Sequence, residues 1–410
     1  MSAGPNIAAP LDVLPPVLSE AVPSEAVPLE AVPSEAVPAE IAPEEPSIES
    51  FCWLLSPLAP ELIASHELPP PASADHVDTI AGELLRVWQV APAVVPAFVD
   101  WIHPEHRARP AVALLQARAC AVAAFAELQR DRIRECARAF EAAGLPYALI
   151  KSAALRFQIY DDPALRCGED FDLAVARRDL GLARDVLEHL GYQPAQWSER
   201  DQRYQRADLE LRALVEAQHH ELGFLIRRER VHGLAPEVRD AVFEQLALRP
   251  WLWHLTSRGE LATYLMVDVH HGLALDIPAD DLIARRCAVD LDGTPMWVPA
   301  PAWSTFLSIY KLYWEGVHHY REGLYHYADL ARLVPRLTAS DVIELAHILE
   351  TYNLRAAAYF VLRRLSPMFG VTVAPAVDAL IDACALPDVQ IGSHDQNDYG
   401  DVWPKLWGQR

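Results

Sequence analysis

The most informative stretch of the sequence is IKSAALRFQIYDDPALRCGEDFDLAVARRDLGLARDVLEHLGYQP, residues 150–194. A short apolar strand, LPYALI, is predicted over Leu145–Ile150, so it ends at the first residue of this stretch. The pattern then predicts a helix over Lys151–Tyr160, a strand with period-2 alternation over Glu169–Ala176, and an amphipathic helix over Asp179–Leu190. The stretch is therefore expected to form a β-α-β-α unit.

Two aspartates in this stretch indicate metal chemistry. Asp170 and Asp172 alternate along the predicted strand, so both carboxylates point to the same face. Side-by-side carboxylates repel each other unless a cation lies between them, and divalent metal ions meet that need. Lys151 and Ser152 lie where a strand turns into a helix, a place where backbone N–H groups and a cation could hold a triphosphate. Arg166 is a second candidate for offsetting phosphate charge.

A third carboxylate, as a further metal ligand, is expected later in the chain. Asp268 and His270 share one face of a strand predicted over Tyr264–His270. The rival is Glu210, on a strand predicted over Leu209–Val215, with Asp208 beside it on the same face. Asp268 is favoured because its neighbours are apolar enough for a central strand, and His270 is a candidate for contacting substrate or supporting the metal ligands.

The same residues carry a resemblance to a known family. The matching positions are Lys151-Ser152, Tyr160, Arg166, Asp170-Phe171-Asp172, Gly191-Tyr192, VDVHHGL at 267–273 and HHYREGLYHYADLARLV at 318–334. This pattern resembles the uncharacterised bacterial nucleotidyltransferases, which belong to the superfamily of DNA polymerase beta and the antibiotic nucleotidyltransferases. The resemblance covers roughly residues 80–340.

The resemblance implies an α+β fold, in which a small mixed sheet is flanked by helices. It also implies transfer of a nucleoside monophosphate from an NTP to an acceptor hydroxyl. By the same resemblance, Asp170, Asp172 and Asp268 would hold two Mg²⁺ ions. Ser152 would bind the β- and γ-phosphates through its backbone, and Lys151 and Arg166 would offset their charge.

Five regions are predicted along the chain. Residues 1–48 form an acidic, proline-rich tail with SEAVP repeats, expected to be disordered because recurrent proline blocks helix and ladder hydrogen bonds. The other four are an N-terminal helical region (50–143), the catalytic core (144–300), a C-terminal helical region (301–385) and an irregular tail (386–410). Within the first helical region, helices are expected over 80–90 and 113–140, with Gly144 as a C-cap.

Composition limits the partners. There are 35 Lys and Arg residues against 57 Asp and Glu residues, giving a formal net charge of -22, which argues against broad capture of nucleic acid. One alternative stays open for nucleic acid, namely that the end of a tRNA enters a local groove lined by Arg227, Arg228 and Arg230.

The apolar stretch Ala111–Leu128 carries charged residues, which favours a buried helix over a membrane span. With no signal peptide and scattered cysteines, a cytoplasmic location is expected.

Other functions stay open beside the leading one. The acceptor could be a small molecule, a peptide or a protein, and the scaffold could instead be a catalytically inactive partner-binding protein. A third hypothesis is a zinc-dependent hydrolase built on the pairs His219-His220, His270-His271 and His318-His319. Adjacent residues point in different directions, so one pair seldom supplies two ligands to one ion.

Overall fold

The structure is a computed structural model. It describes residues 73–385 except 86–90, 199, 209, 211–212, 214–215, 217–218, 247–251, 275–276, 319–323 and 367–373, and it also describes 390–391 and 394–395. The predicted tail over residues 1–48 lies outside the described residues. In the predicted C-terminal tail the four described residues form a short antiparallel pair, β12 and β13.

Helices and strands alternate in the order that the sequence pattern predicts around residues 145–190. The helices are α1 Ala74–Leu84, α2 Ala91–Trp101, α3 Pro110–Ala142, α4 Lys151–Gln158, α5 Leu180–His189, α6 Pro236–Gln245, α7 Asp280–Ala284, α8 Pro301–His318, α9 Leu324–Leu333, α10 Ala339–Thr351, α11 Arg355–Leu362 and α12 Pro375–Cys384. The strands are β1 Tyr147–Ile150, β2 Asp170–Val175, β3 Gln193–Ser198, β4 Arg203–Arg206, β5 Glu221–Arg230, β6 Trp253–Leu255, β7 Leu261–His270, β8 Gly272–Ala274, β9 Ile277–Pro278, β10 Arg286–Leu291, β11 Thr294–Pro299, β12 Gln390–Ile391 and β13 His394–Asp395.

The long helix α3 connects the separate parts of the core. Proline at its first position suits a helix start, because that residue has no intrahelical N–H bond to lose. At the other end, Gly144 has φ +63°, and the amides of Gly144 and Leu145 bond back to the carbonyls of Glu141 and Phe140. This is a Schellman C-cap, so the prediction that Gly144 ends the helix is confirmed.

Among the described residues, α3 is the helix that is long and apolar enough to cross a membrane by length and composition, which is weak evidence by itself. In the structure it contributes buried residues to all three hydrophobic clusters: Val112 and Leu115 to the first, Phe125 to the second, and Ile133 and Phe140 to the third. Its apolar composition is accounted for by this packing.

A seven-stranded mixed sheet forms the centre of the molecule, with the strand order β1-β2-β7-β5-β3-β4 and β6 paired to the start of β7. The pair β2–β7 is parallel and the other pairs are antiparallel. Every residue of β7 is buried, as expected for a central strand covered on both faces. The prediction of an α+β fold with a mixed sheet flanked by helices is confirmed.

Several strands differ from the sequence-based expectation. In the segment Leu209–Val215, predicted as a strand, the described residues 210 and 213 are helical, so that prediction is wrong there. The strands β3, β4 and β5 were not expected. The strands β3 and β4, at one end of the sheet, are polar, and β5 carries a bulge that breaks its alternation. None of the three therefore shows the period-2 pattern of a half-buried strand.

Candidate active site

Acidic side chains from two neighbouring strands meet on one face of the sheet. In the parallel pair β2–β7, Asp172 lies directly opposite Asp268, and Ala174 lies opposite His270. Side chains two residues apart share a face, so Asp170, Asp172, Asp268 and His270 all lie on this one. Asp172 and Asp268 are buried, at 3% and 5% exposure. The sheet register therefore builds a buried carboxylate pair from residues 96 positions apart in the sequence.

Lys151 reaches into this pair from the start of α4. Its Nζ lies 2.6 Å from Oδ1 of Asp172 and 3.1 Å from Nε2 of His270. Its backbone has φ +52°, a left-handed conformation that costs a side chain other than glycine about 1 kcal/mol. Burial opposes the charge of Lys151, but the carboxylates of Asp172, Asp268 and Asp170 outweigh it and raise the pKa. The strained turn thus aims a fixed cation at the carboxylates.

His270 lies between the two buried aspartates. Its Nε2 is 2.9 Å from Oδ1 of Asp172 and 3.1 Å from Oδ2 of Asp268. Burial and the charge of Lys151 lower the pKa of the imidazole, but the carboxylates of Asp268 and Asp172 outweigh them. The net result is a pKa raised to about 9. His270 is therefore a second cation of the site when no metal ion is bound.

The pKa values of Asp170 and Asp172 are shifted in opposite directions, although the two side chains share a strand face. Burial, followed by the negative charge of Asp172, raises the pKa of Asp170 to about 7. Burial also acts on Asp172, but Lys151 and His270 outweigh it and hold the pKa of this carboxyl below its usual range. Near neutral pH Asp172 is therefore ionised, whereas Asp170 is only partly ionised until a cation offsets the charge of its neighbour.

A β-bulge brings one further acid to the site. On β5, Glu221 pairs with His270 and Phe224 pairs with Asp268, so three residue steps on β5 face two on β7. Gly223, with φ +74°, takes up the extra residue. As a result, Glu221 and Phe224 both lie on the face of the carboxylates, and Phe224 leaves 47% of its surface exposed there.

The loop before β2 packs tightly against the start of α4. A Cβ placed on Gly168 would lie 2.5 Å from Oγ of Ser152 and 2.7 Å from the carbonyl oxygen of Asp170, so the site has no room for a side chain there. Gln129 donates to the carbonyl of Gly168, and Arg156 in turn donates to Oε1 of Gln129. These contacts hold Ser152 next to the first aspartate.

The structure places Arg166 in a buried ion pair. Its Nε and Nη2 donate to the carboxylate of Asp329 at 3.1–3.2 Å, and Tyr160 donates to the same carboxylate at 2.7 Å. Arg166 is 2% exposed and Asp329 is fully buried. Tyr160, Arg166 and Asp329 thus form one hydrogen-bonded cluster, which connects the loop before β2 to α9. Its charge is already balanced, which favours a structural role for Arg166, and its predicted contact with phosphate stays a prediction.

A cleft lined by cationic and polar side chains opens between α4 and the C-terminal helices. Its polar lining residues are Lys151, Ser152, Arg166, Ser304, Ser308, Lys311 and His326. Burial, together with the positive charges of Arg166, Lys311 and Lys151, holds the pKa of His326 well below its usual range. Two of the three lysines of the chain therefore line one cleft beside the carboxylates.

The other predicted residues lie apart from this centre. Glu210 and Asp208 are exposed, with the Glu210 amide donating to Oδ1 of Asp208 at 2.7 Å. Arg227 pairs with Glu135 and Arg230 with Glu260. Of the two candidates for the third carboxylate, Asp268 is the one that the fold brings opposite Asp172.

The sequence-based prediction gave no individual role to His326 and Asp329, and it named His220 only as a member of a histidine pair. Asp329 lies inside the motif at 318–334, but its pairing with Arg166, 163 residues away, cannot be read from sequence spacing. The scarcity of lysine was the available signal for Lys311. Glu221 directly follows the pair His219-His220 in the sequence, but the sequence does not show that it faces the site, because a bulge decides the face to which it points.

A mixed sheet with carboxylates paired across adjacent strands, and a lysine at a strand-to-helix turn, is the arrangement expected of the nucleotidyltransferase class. The sequence model of the uncharacterised nucleotidyltransferase family matches residues 83–370, more than half of the chain, so the protein belongs to this family. The predicted resemblance is confirmed.

Among solved structures, the chain is similar to an antigenic nucleotidyltransferase-like protein from Paracoccidioides brasiliensis. The two share 12% sequence identity over 61% of this chain and 95% of that chain, with a TM-score of 0.25. No curated protein matches the sequence.

Proposed function

We propose that the protein is a Mg²⁺-dependent enzyme that transfers NMP from an NTP to a hydroxyl group of a small molecule, peptide or protein. The observation that carries this proposal is the buried pair Asp172 and Asp268, set opposite each other on parallel strands and beside a cationic cleft. Carboxylates supply the oxygen ligands that Mg²⁺ prefers, and the cations of the cleft suit a phosphate-bearing substrate.

The donor set fits Mg²⁺. Oδ1 of Asp268 is buried and accepts no hydrogen bond from the described residues, so a buried polar oxygen is available for a cation. Asp170, Asp172 and Asp268 would hold the ions, which supply charge stabilisation at the transferring phosphate and at the acceptor oxygen. His270 would support this set by donating from Nε2 to the carboxylates.

The cleft would hold the triphosphate. Lys151, Lys311 and the backbone of Ser152 line it on the side of α4 and α8, and serine hydroxyls add donors. Cations at the β- and γ-phosphates stabilise the charge of the leaving pyrophosphate. Because Arg166 is held by Asp329, its part is to fix this wall of the cleft.

The reaction would be an in-line displacement at the α-phosphorus. The acceptor oxygen forms the new bond to phosphorus, the bond between phosphorus and the bridging oxygen of the β-phosphate breaks, and pyrophosphate leaves with that electron pair. The acceptor hydroxyl loses one proton, which passes to water. Nothing else is consumed.

One observation favours the inactive partner-binding alternative. Lys151 and the protonated His270 already lie within 3.1 Å of the buried carboxylates, so internal cations partly compensate the site without a metal ion. A scaffold that has lost its chemistry could be stabilised in this way. Binding of nucleotide separates the two functions.

The test is calorimetric titration of each NTP into the full chain, with and without Mg²⁺. The proposal predicts that at least one NTP binds and that Mg²⁺ strengthens binding. Asp172→Asn should abolish the Mg²⁺ effect, whereas Asp185→Asn, an exposed acid on α5, should leave it unchanged. Absence of binding by every NTP would support the partner-binding alternative instead.

A further inference from the structure

A second group of metal-ligating side chains adjoins the carboxylate pair, and of its members only His270 has a part in the proposed transfer. Ligand atoms of His220, Glu221 and His270 all lie within 4.8 Å of one another. His220 and His270 belong to two different His-His pairs of the sequence, and the fold brings these two residues together although they are 50 positions apart. The rings of His220 and His270 lie 5.8 Å apart, inclined by 28°.

The two ring nitrogens of His270 face different neighbours. Nε2 lies against Asp172 and Asp268, at 2.9 and 3.1 Å, whereas Nδ1 faces Oε2 of Glu221 at 3.7 Å. Carboxylates on Nε2 keep the proton there and orient the ring. A histidine that ligates a metal through one nitrogen commonly donates its other N–H to a carboxylate in this manner.

The backbone holds His220 and Glu221 in place. The carbonyl of His220 accepts hydrogen bonds from the amides of His271 and Gly272, at 2.8 and 3.2 Å, just beyond the end of β7. The bulge at Gly223 turns Glu221 to the face of His270 and leaves Leu222 in the core. Bulges commonly re-aim a side chain next to a functional site, and this one completes a two-histidine, one-carboxylate set.

We propose that His220, Glu221 and His270 bind a transition-metal ion of the zinc class, distinct from the Mg²⁺ ions of the proposed transfer reaction. Imidazole nitrogen favours zinc and similar ions over Mg²⁺, which prefers oxygen ligands alone. Zinc–ligand bonds of about 2.1 Å in tetrahedral geometry require ligand atoms about 3.4 Å apart, a small side-chain closure from the present separations. Coordination displaces one proton from Nδ1 of His270.

This site goes beyond the proposed function, and either can fail without the other. Three protein ligands leave a fourth position for water or for a substrate atom, as in catalytic rather than structural zinc sites. The Mg²⁺ ligands Asp170 and Asp172 are not among the three. Asp170→Asn should therefore weaken Mg²⁺-dependent nucleotide binding while leaving zinc binding intact.

The experiment is equilibrium dialysis of the full chain against Zn²⁺ in excess Mg²⁺, with the bound metal measured by mass spectrometry. Wild type should retain one equivalent of zinc, and His220→Ala should bind it roughly 100-fold more weakly. His219→Ala is the matched control, because that neighbouring imidazole lies outside the cluster and its carbonyl contact to His271 is unchanged by the substitution. Circular dichroism confirms that the variants are folded.

Replacement by Co²⁺ gives an independent readout, since tetrahedral Co²⁺ with imidazole ligands absorbs visible light strongly. The proposal predicts this spectrum for wild type and His219→Ala and its loss in His220→Ala. Equal zinc binding by wild type and His220→Ala, loss of zinc in His219→Ala, or no zinc retained by wild type would each overturn the assignment. If Asp170→Asn loses nucleotide binding but keeps zinc binding, the result supports a zinc site separate from the Mg²⁺ ligands.

Discussion

The buried pair of Arg166 and Asp329 should make a large contribution to stability that depends on both partners. The guanidinium donates to both carboxylate oxygens at 3.1–3.2 Å, and neither residue is more than 2% exposed. Asp329→Asn keeps the shape and an acceptor for Tyr160 but leaves the cation without its counter-charge. Removal of one partner from a buried ion pair costs about 3–5 kcal/mol.

The assay is urea-induced unfolding followed by circular dichroism, in which ΔG is extrapolated to water. Arg166→Met/Asp329→Asn should cost less than the sum of the two single substitutions, because no unpaired buried charge remains in the double variant. The exposed pair of Arg285 and Glu344, 2.6 Å between Nη1 and Oε1, is the control. Glu344→Gln should cost less than about 1 kcal/mol.

A loss below about 1 kcal/mol for Asp329→Asn would refute the argument, as would simple additivity in the double variant. The first result would mean that the guanidinium is hydrated or finds another partner. The second would mean that the two side chains contribute independently. In either case Arg166 would again be a candidate for contacting phosphate, because its charge would not be committed to Asp329.

Three further predictions concern the site. Lys311→Met should weaken NTP binding about tenfold by calorimetry, because one cation of the cleft is lost, and an unchanged Kd would remove the triphosphate from this cleft. Gly168→Ala should lower the free energy of unfolding by about 1–3 kcal/mol, since the new Cβ would meet Oγ of Ser152 at 2.5 Å; unfolding indistinguishable from wild type would contradict the tight packing. Gly223→Ala should cost about 1–2 kcal/mol in the same assay, because φ is +74°, and should weaken zinc binding by displacing Glu221; a neutral effect on both would contradict the bulge.

The carboxylate strands could be predicted because their signals are local. DFDLAV in β2 alternates, and the apolar run before Asp268 is typical of a buried central strand. The turn at Lys151 was expected from the change of period between strand and helix. What places Asp268 opposite Asp172 is the parallel pairing of β2 with β7, and residue spacing alone cannot show which strands become neighbours.

The rest of the site depends on long-range contacts and on a local irregularity. Arg166 and Asp329 are 163 residues apart, so the arginine in a phosphate-binding motif could not be recognised as structural from its neighbours in sequence. Glu221 faces the site only because Gly223 inserts a residue into β5. A period-2 pattern without that bulge would assign the opposite face to one end of the strand.

The most direct test of the proposed chemistry is release of pyrophosphate from each NTP in the presence of Mg²⁺ and of candidate small-molecule, peptide and protein acceptors. The account predicts release with at least one NTP, its loss on chelation of Mg²⁺, and a decrease of at least about 100-fold in Asp172→Asn. The control Asp185→Asn should match wild type. Equal release by wild type and Asp172→Asn would contradict the account, because the buried pair of Asp172 and Asp268 would then have no part in the reaction.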